Sequence, residues 1–156
     1  MELQNRNTTA LTSTSHEQAI AVLLQEGFRR HKQGDLAAAQ ASYEAILACD
    51  AYHFDALQLL GTVFFAKSKF EEALDLLDSA LSQRPDVAPV HNNVGSCLKS
   101  LGRFNDALES FNRAIDLDQN FADAHYNKAN VLRRMGHTAE AMDSFRHALR
   151  VEPKYT

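Results

Sequence analysis

Glycine recurs in this chain at a fixed interval: Gly27, Gly61 and Gly95 stand 34 residues apart, and Ala129 holds the fourth place. A self-similarity of this length constrains the fold strongly, because units of roughly 20 to 50 residues repeated in tandem build solenoids, propellers or arrays. Other positions keep the same register. Ala39, Ala73, Ala107 and Ala141 follow those sites by twelve residues; Tyr43, Leu77, Phe111 and Phe145 come four later; Ile46, Ala80, Ala114 and Ala148 three later still. Four units follow, 20–53, 54–87, 88–121 and 122–155, which together take up 136 of the 156 residues.

Inside a unit, positions 4, 7, 8 and 11 fall on one face of a helix. His91, Val94, Gly95 and Leu98 are that face in the third unit. This is helix A. Gly34, Ser68, Gly102 or Gly136 then offers the left-handed backbone that commonly ends a helix. A second amphipathic stretch, such as Phe104 to Ile115, is helix B. Pro85 and Pro153 stop helix B in the second and fourth units, since proline lacks a backbone N–H and has a fixed φ. Position 8 and position 20 are where the two helices cross, so small residues there let the axes approach. Leu60, Phe64, Phe70, Phe104 and Leu132 are expected to fill the space beside them. With only six Gly and three Pro, and with Ala, Leu, Gln and Glu throughout, the chain reads as all-α.

A 34-residue helix-turn-helix unit with Leu-Gly, Ala, Phe, Ala and Pro at these places resembles the tetratricopeptide repeat, and the likeness covers nearly the whole chain. It implies a right-handed α-solenoid of four units whose concave wall is made of A helices. The departures are small. Position 4 carries Leu23, Leu57, His91 and His125 where Trp is usual, Ala51 and Gln119 replace Pro, and Ala129 replaces Gly.

The resemblance implies binding residues at positions 2, 5, 6, 9, 12 and 13. Independently, positions 2, 6, 9 and 13 form one stripe of helix A turned away from the packing set. In the third unit the groove positions hold Pro89, Asn92, Asn93, Ser96, Lys99 and Ser100; in the fourth they hold Asp123, Tyr126, Asn127, Asn130, Arg133 and Arg134. The first two units place Ala21, Leu24, Gln25, Phe28, His31 and Lys32, then Asp55, Gln58, Leu59, Thr62, Phe65 and Ala66, so the wall becomes more apolar towards the N terminus. Asn93 and Asn127 share one repeat position, and an Asn amide can both donate to and accept from a peptide unit. This is similar to the asparagine ladder in the arm of O-linked N-acetylglucosamine transferases, and to the Asn and basic clamp by which some co-chaperones hold a C-terminal carboxylate. The plain alternative is a solvated polar face, the usual role of exposed amides.

Lys99, Arg103, Lys128, Arg133 and Arg134 are read as a positive A-helix side, against Asp106, Glu109, Asp116, Glu140 and Asp143 on the B helices. The expected partner is therefore a protein or an extended peptide, acidic or ending in a free carboxylate. Phe28, Leu59 and Phe65 are candidates for an apolar pocket or for wall packing. A net charge of −4 argues against a dedicated nucleic-acid binder, which needs a basic excess.

Neither a catalytic site nor a cofactor is expected. No His pair has zinc-ligand spacing, no glycine-rich phosphate loop follows a strand, and Cys97 is placed inward without an activating base. Cys49, the other thiol, also falls in an apolar helical stretch and is expected to be buried. Residues 1–19 form a polar lead, partly disordered or extending the first helix, with Ser15 near its cap. Without a signal-peptide core or an apolar run of membrane length, no membrane insertion is expected and the location is read as cytoplasmic.

A solenoid end normally carries a polar-faced cap, yet the sequence stops at Thr156 just after the fourth helix B. The candidates for covering that face are the rest of a longer protein, a second copy of the chain, or the partner; the first is expected, with homo-oligomerisation in a piece that lacks it. The later units are similar to the N-terminal arms of bacterial O-linked N-acetylglucosamine transferase-like glycosyltransferases. That resemblance implies a substrate-recruiting arm as the rival to a peptide-binding scaffold, and a self-assembling scaffold is the third reading.

Overall fold

The structure, a computed structural model, describes the backbone of residues 2–153 and the side chains of residues 16–153. Ser15, read as a helix cap, and the chain end at Tyr155 and Thr156 lie outside the described side chains. Among the described residues the regular elements are eight α-helices: α1 (Glu2–Lys32), α2 (Leu36–Cys49), α3 (Phe54–Ala66), α4 (Phe70–Gln83), α5 (Ala88–Ser100), α6 (Phe104–Leu117), α7 (Ala122–Arg134) and α8 (Thr138–Val151). Odd-numbered helices are the A helices and even-numbered ones the B helices.

Each hairpin turns in the same way. Gly34, Gly102 and Gly136 have φ of 79°, 76° and 84°, and Ser68 takes the same left-handed backbone at 59°. The amide just after that residue reaches back to the last turn of helix A: Asp35 N to Arg30 O at 3.0 Å, and Lys69 to Phe64, Arg103 to Leu98 and His137 to Leu132 at 2.9 Å each. That bond pairs a carbonyl the helix end would otherwise leave open. In the first hairpin Asp35 Oδ1 also accepts from Ala38 N at 3.1 Å and caps α2. Lys69, Arg103 and His137 supply no such side-chain cap.

The periodic glycines mark the closest approach of the two helices, and the group they face is more specific than the small residue at position 20. A Cβ built on Gly27 would lie 2.6 Å from Tyr43 Cε1, on Gly61 2.9 Å from Leu77 Cγ, and on Gly95 2.6 Å from Phe111 Cε1. Position 24 therefore rests its large side chain directly on the glycine. Tyr43, Leu77 and Phe111 are fully buried, with Ala39, Ala73 and Ala107 beside them.

Hairpins then stack. Val90 and Cys97 of α5, with Val131 of α7, join Leu77 and Phe111 in one continuous core that runs across the second, third and fourth units. Tyr43, Ile46, Leu60 and Val63 form the equivalent core between the first and second. Successive A helices touch one another, α1 with α3, α3 with α5 and α5 with α7, whereas successive B helices stand further apart. The stack therefore curves with the A helices on its inner side, which brings their outward stripes into one groove.

Candidate peptide-binding groove

Equivalent positions of neighbouring A helices meet along the inner side. Ala21, Leu24, Gln25 and Phe28 of α1 and Asp55, Gln58 and Leu59 of α3 line one open hollow of about 480 Å³. These are positions 2, 5, 6 and 9 of one unit against 2, 5 and 6 of the next, as the stripe requires. Phe28 remains half exposed there, with Lys32 Nζ 4.9 Å above its ring. Phe65 is not part of this hollow: it lines a smaller one of about 80 Å³ with Thr62, Asn93 and Ser96, and packs against Phe70 at 5.5 Å.

Further along, the polar residues are joined to one another. Lys99 Nζ donates to Asn127 Oδ1 at 3.1 Å, and Asn127 Nδ2 donates to Asn92 Oδ1 at 3.0 Å. Asn92 is buried, with 8% of its surface exposed, so its amide is held as part of the packing between α5 and α7. Lys99 is half-buried, and the loss of solvent around its ammonium pulls its pKa below the ordinary lysine range. A lysine ammonium has three donors, and one of them is used here. Asn93 faces the Phe65 hollow, and its amide has no hydrogen bond to any described residue.

The remaining candidates are held locally. Ser96 Oγ donates to Asn92 O at 2.9 Å and Ser100 Oγ to Ser96 O at 3.0 Å, both within α5. Asn130 Nδ2 donates to Tyr126 O at 3.0 Å and its Oδ1 accepts from Arg133 Nη2 at 3.2 Å. Tyr126 meets Phe145 edge-on with ring centroids 5.5 Å apart. Arg134 lays its guanidinium over Phe104, 4.9 Å from the ring centre, and so leans onto the preceding helix B. Arg103 belongs to the turn before α6 and pairs with Asp106 at 2.8 Å. Lys128 sits at packing position 7. Of the five cations read as a positive inner side, Lys99 and Arg133 are the two left along the groove.

Several features were not visible in the sequence. His125 and His147 stack with centroids 3.9 Å apart, and both Nε2 atoms point to the Gln119 carbonyl, at 3.0 and 3.2 Å. Burial, followed by the nearby charges of His147, Lys128 and Arg150, keeps the His125 pKa low, although the Gln119 carbonyl opposes it. The two residues are 22 apart, a separation that only the repeat register makes adjacent. On the outer side a cleft of about 700 Å³ opens between α4 and α6 above α5, with Asp78, His91, Glu109, Arg113 and Asp116 at its edge. It exists because successive B helices splay.

Cys97 is buried, and desolvation, helped by the charge of Asp78, pushes its thiol up to about 11, which removes nucleophilic character. Cys49, expected inside, is exposed: it is the last residue of α2, where the helix runs out past the core. Among the described residues no three His, Cys, Asp or Glu side chains converge as metal ligands, and no helix is long and apolar enough to cross a membrane.

Comparison with known proteins agrees with this architecture. Two solved structures of MamA superpose on most of the chain. One matches with a TM-score of 0.79 at 22% identity, covering 94% of this chain and 85% of that one. The other, MamA 41-end from Desulfovibrio magneticus RS-1, matches with a TM-score of 0.78 at 20% identity, covering 97% and 93%. At that identity they establish the fold alone. A mutant of the Thermobaculum terrenum O-GlcNAc transferase matches at 25% identity with a TM-score of 0.73 over 75% of this chain, which corresponds to 22% of the transferase chain. A search of curated protein sequences finds no significant match. Profiles described as tetratricopeptide repeat match residues 30–94 and 122–155, and one described as TPR repeat matches 95–136. Residues 30–155 are thus covered without a gap, and with eight helices in four hairpins the chain belongs to the tetratricopeptide-repeat family.

Proposed function

We propose that this protein is a scaffold that holds an extended peptide segment of a partner along its A-helix groove. The observation that supports the reading best is the contrast between the two ends of that groove. At one end Leu24, Phe28 and Leu59 border an open apolar hollow. At the other, a half-buried ammonium on Lys99 is braced by Asn127, with the unpaired Asn93 amide six residues back on the same helix. A desolvated cation favours a carboxylate more strongly than a solvated one does. Asn93 suits the backbone of a chain passing over it, donating to one carbonyl and accepting from one N–H. The partner is therefore an extended segment with an apolar side chain towards α1 and an acidic residue or free C terminus at Lys99. Helix axes pack roughly 8–10 Å apart, so two steps along the wall span roughly 20 Å, or about six extended residues.

The test is a selection from a library of roughly ten-residue peptides with free C termini, made in parallel on the wild type and on Asn93→Ala/Lys99→Ala. The reading requires enrichment of carboxylate-terminated or acidic sequences with an apolar residue about six positions upstream, lost in the variant. Peptides that bind both proteins equally, or a wild type that enriches nothing, would sink it.

A second reading, the recruiting arm of a larger glycosyltransferase, draws on the likeness to the transferase from Thermobaculum terrenum. It needs a catalytic domain on the same polypeptide. The intact mass of the natural gene product decides: about 17.4 kDa rejects this reading, and a product several times larger with sugar-transfer activity favours it.

A further inference from the structure

The two ends of the stack differ in kind. In the inner units the outward face of helix B is closed by the next hairpin: Leu77 and Phe111 are fully buried there, with Leu74, Leu81 and Leu108 packed against the same core. The matching residues of α8 are Met142, Phe145 and Leu149. Met142 is 57% exposed, and Phe145 and Leu149 are only half-buried.

The opposite end does not fit that surface. Units two to four bury two apolar residues of helix A against the preceding helix B: Ala56 with Val63, Val90 with Cys97, and Ala124 with Val131. The first unit has Val22 and Arg29 at those places, and Arg29 is ion-paired with Glu26 at 2.6 Å. Hydrogen bonds from Arg29 and then Arg30 hold the Glu26 carboxyl down to about 2. Docking α1 of one molecule onto α8 of another would bury that charged pair where the fold otherwise places Val or Cys, and burying charges without new partners is strongly unfavourable. End-to-end growth of the solenoid is thereby disfavoured.

The charges on α8 instead suit a copy of itself. Glu140 and Asp143 lie in its first half, Arg146 and Arg150 in its second. At 100° per residue Asp143, Arg146 and Arg150 run along one flank of the Met142–Leu149 stripe. Parallel pairing about a two-fold axis would put the two charged flanks on opposite sides of the pair; antiparallel pairing brings them to the same side and opposes unlike charges. We propose that α8 is a self-association surface, on which a second copy of this chain packs its own α8 antiparallel across a two-fold axis near Phe145. In that arrangement Phe145 meets its equivalent, Met142 lies opposite Leu149, and Asp143 pairs twice with Arg146 of the other copy, exchanging the exposed pair those residues make within one chain. The interface is isologous and therefore closes at two copies. A face one helix wide belongs with small, weak interfaces, so a dimer of micromolar strength is expected.

Sedimentation equilibrium on the chain tests this with Asp143→Arg and Arg146→Asp, two substitutions at sites at least 70% exposed that leave the core alone. The wild type is expected to show a reversible monomer–dimer equilibrium. Each single variant should dimerise at least tenfold more weakly, a loss of about 1.4 kcal/mol. An equimolar mixture of the two should recover a heterodimer, because the charges are then complementary across the axis. Met142→Glu, with unchanged helical circular dichroism, should also be monomeric. A wild type that stays monomeric to about 0.5 mM, single variants that dimerise like the wild type, a mixture that does not recover, or oligomers that grow beyond two would each overturn the proposal.

Discussion

The contact between Gly95 and Phe111 makes a sharp test of how the hairpin is built. A Cβ at Gly95 would fall 2.6, 2.7 and 2.9 Å from three atoms of the Phe111 ring. The nearest of these is about 0.8 Å inside the roughly 3.4 Å at which carbon atoms stop repelling. Phe111 is fully buried in the core shared with Cys97 and Val131, and a close-packed interior leaves it little room to retreat. Overpacking of this kind costs about 1–3 kcal/mol, with three ring atoms in conflict placing it near 2–3. Replacing an interior helical glycine by alanine returns about 1 kcal/mol. Gly95→Ala should therefore destabilise the protein by a net of about 1–2 kcal/mol, with the melting temperature falling about 2–4 °C for each kcal/mol in a chain of this size. Urea unfolding followed by circular dichroism measures it. Gly61→Ala, opposed by a flexible Leu77 at 2.9 and 3.0 Å, should lose less. Gly95→Ala/Phe111→Leu should lose less than the sum of its parts, by about 1 kcal/mol. A Gly95→Ala protein as stable as the wild type would refute the steric account and leave only the repeat's sequence pattern in its place.

Three further outcomes are expected. Asn127→Ala strands the buried Asn92 carbonyl and releases Lys99, so unfolding should become easier by about 1–3 kcal/mol; an unchanged protein would mean that water replaces the amide at no cost. The lowered pKa of His125 means that the folded state binds its proton less readily than the unfolded chain does. Its contribution is thus fully present above about pH 6.5 and is lost as pH falls through the folded value. The melting temperature should drop between about pH 7 and pH 5, by less in His125→Gln, and parallel profiles for the two proteins would reject this assignment. Of the two thiols, Cys49 should react with a disulfide reagent at neutral pH while Cys97 stays silent until the protein is denatured; two fast thiols would contradict the burial of Cys97.

The fold was legible because the repeat states each structural requirement four times. One glycine at position 27 says little. The same residue at 61 and 95, each followed sixteen residues later by a large apolar side chain, says that two helices touch there. The turn residues are legible for the same reason: the three glycine counterparts of Ser68 mark its place as left-handed, and its φ is 59°. Single-copy features were not legible. Arg103 follows helix A in sequence and so reads as part of the groove, but the turn hands it to Asp106. Lys128 lies on α7 at position 7, which the register assigns to the packing face, so there the charge reading overrode the register. Cys49 was read from the apolar residues before it, whereas its exposure depends on where α2 ends relative to the core.

The groove lies between these cases, and the reason is physical. Repeat periodicity fixes which positions face inward, so Leu24, Phe28 and Leu59 line one hollow and Thr62, Phe65, Asn93 and Ser96 another. It does not fix what those side chains do to one another. Asn93 and Asn127 are equivalent by position, yet Asn93 opens onto a hollow next to Phe65, while Asn127 is held between Lys99 and Asn92. The difference arises because the fourth unit has an Asn92 and a Lys99 on the helix before it, where the third unit has Gln58 and Phe65. A ladder of like residues thus becomes two unlike groups, one whose amide is unpaired and one that braces a cation. The chemistry of each rung is set by the unit before it, so the binding preference of such a groove has to be derived from pairs of neighbouring A helices and not from a repeat taken alone.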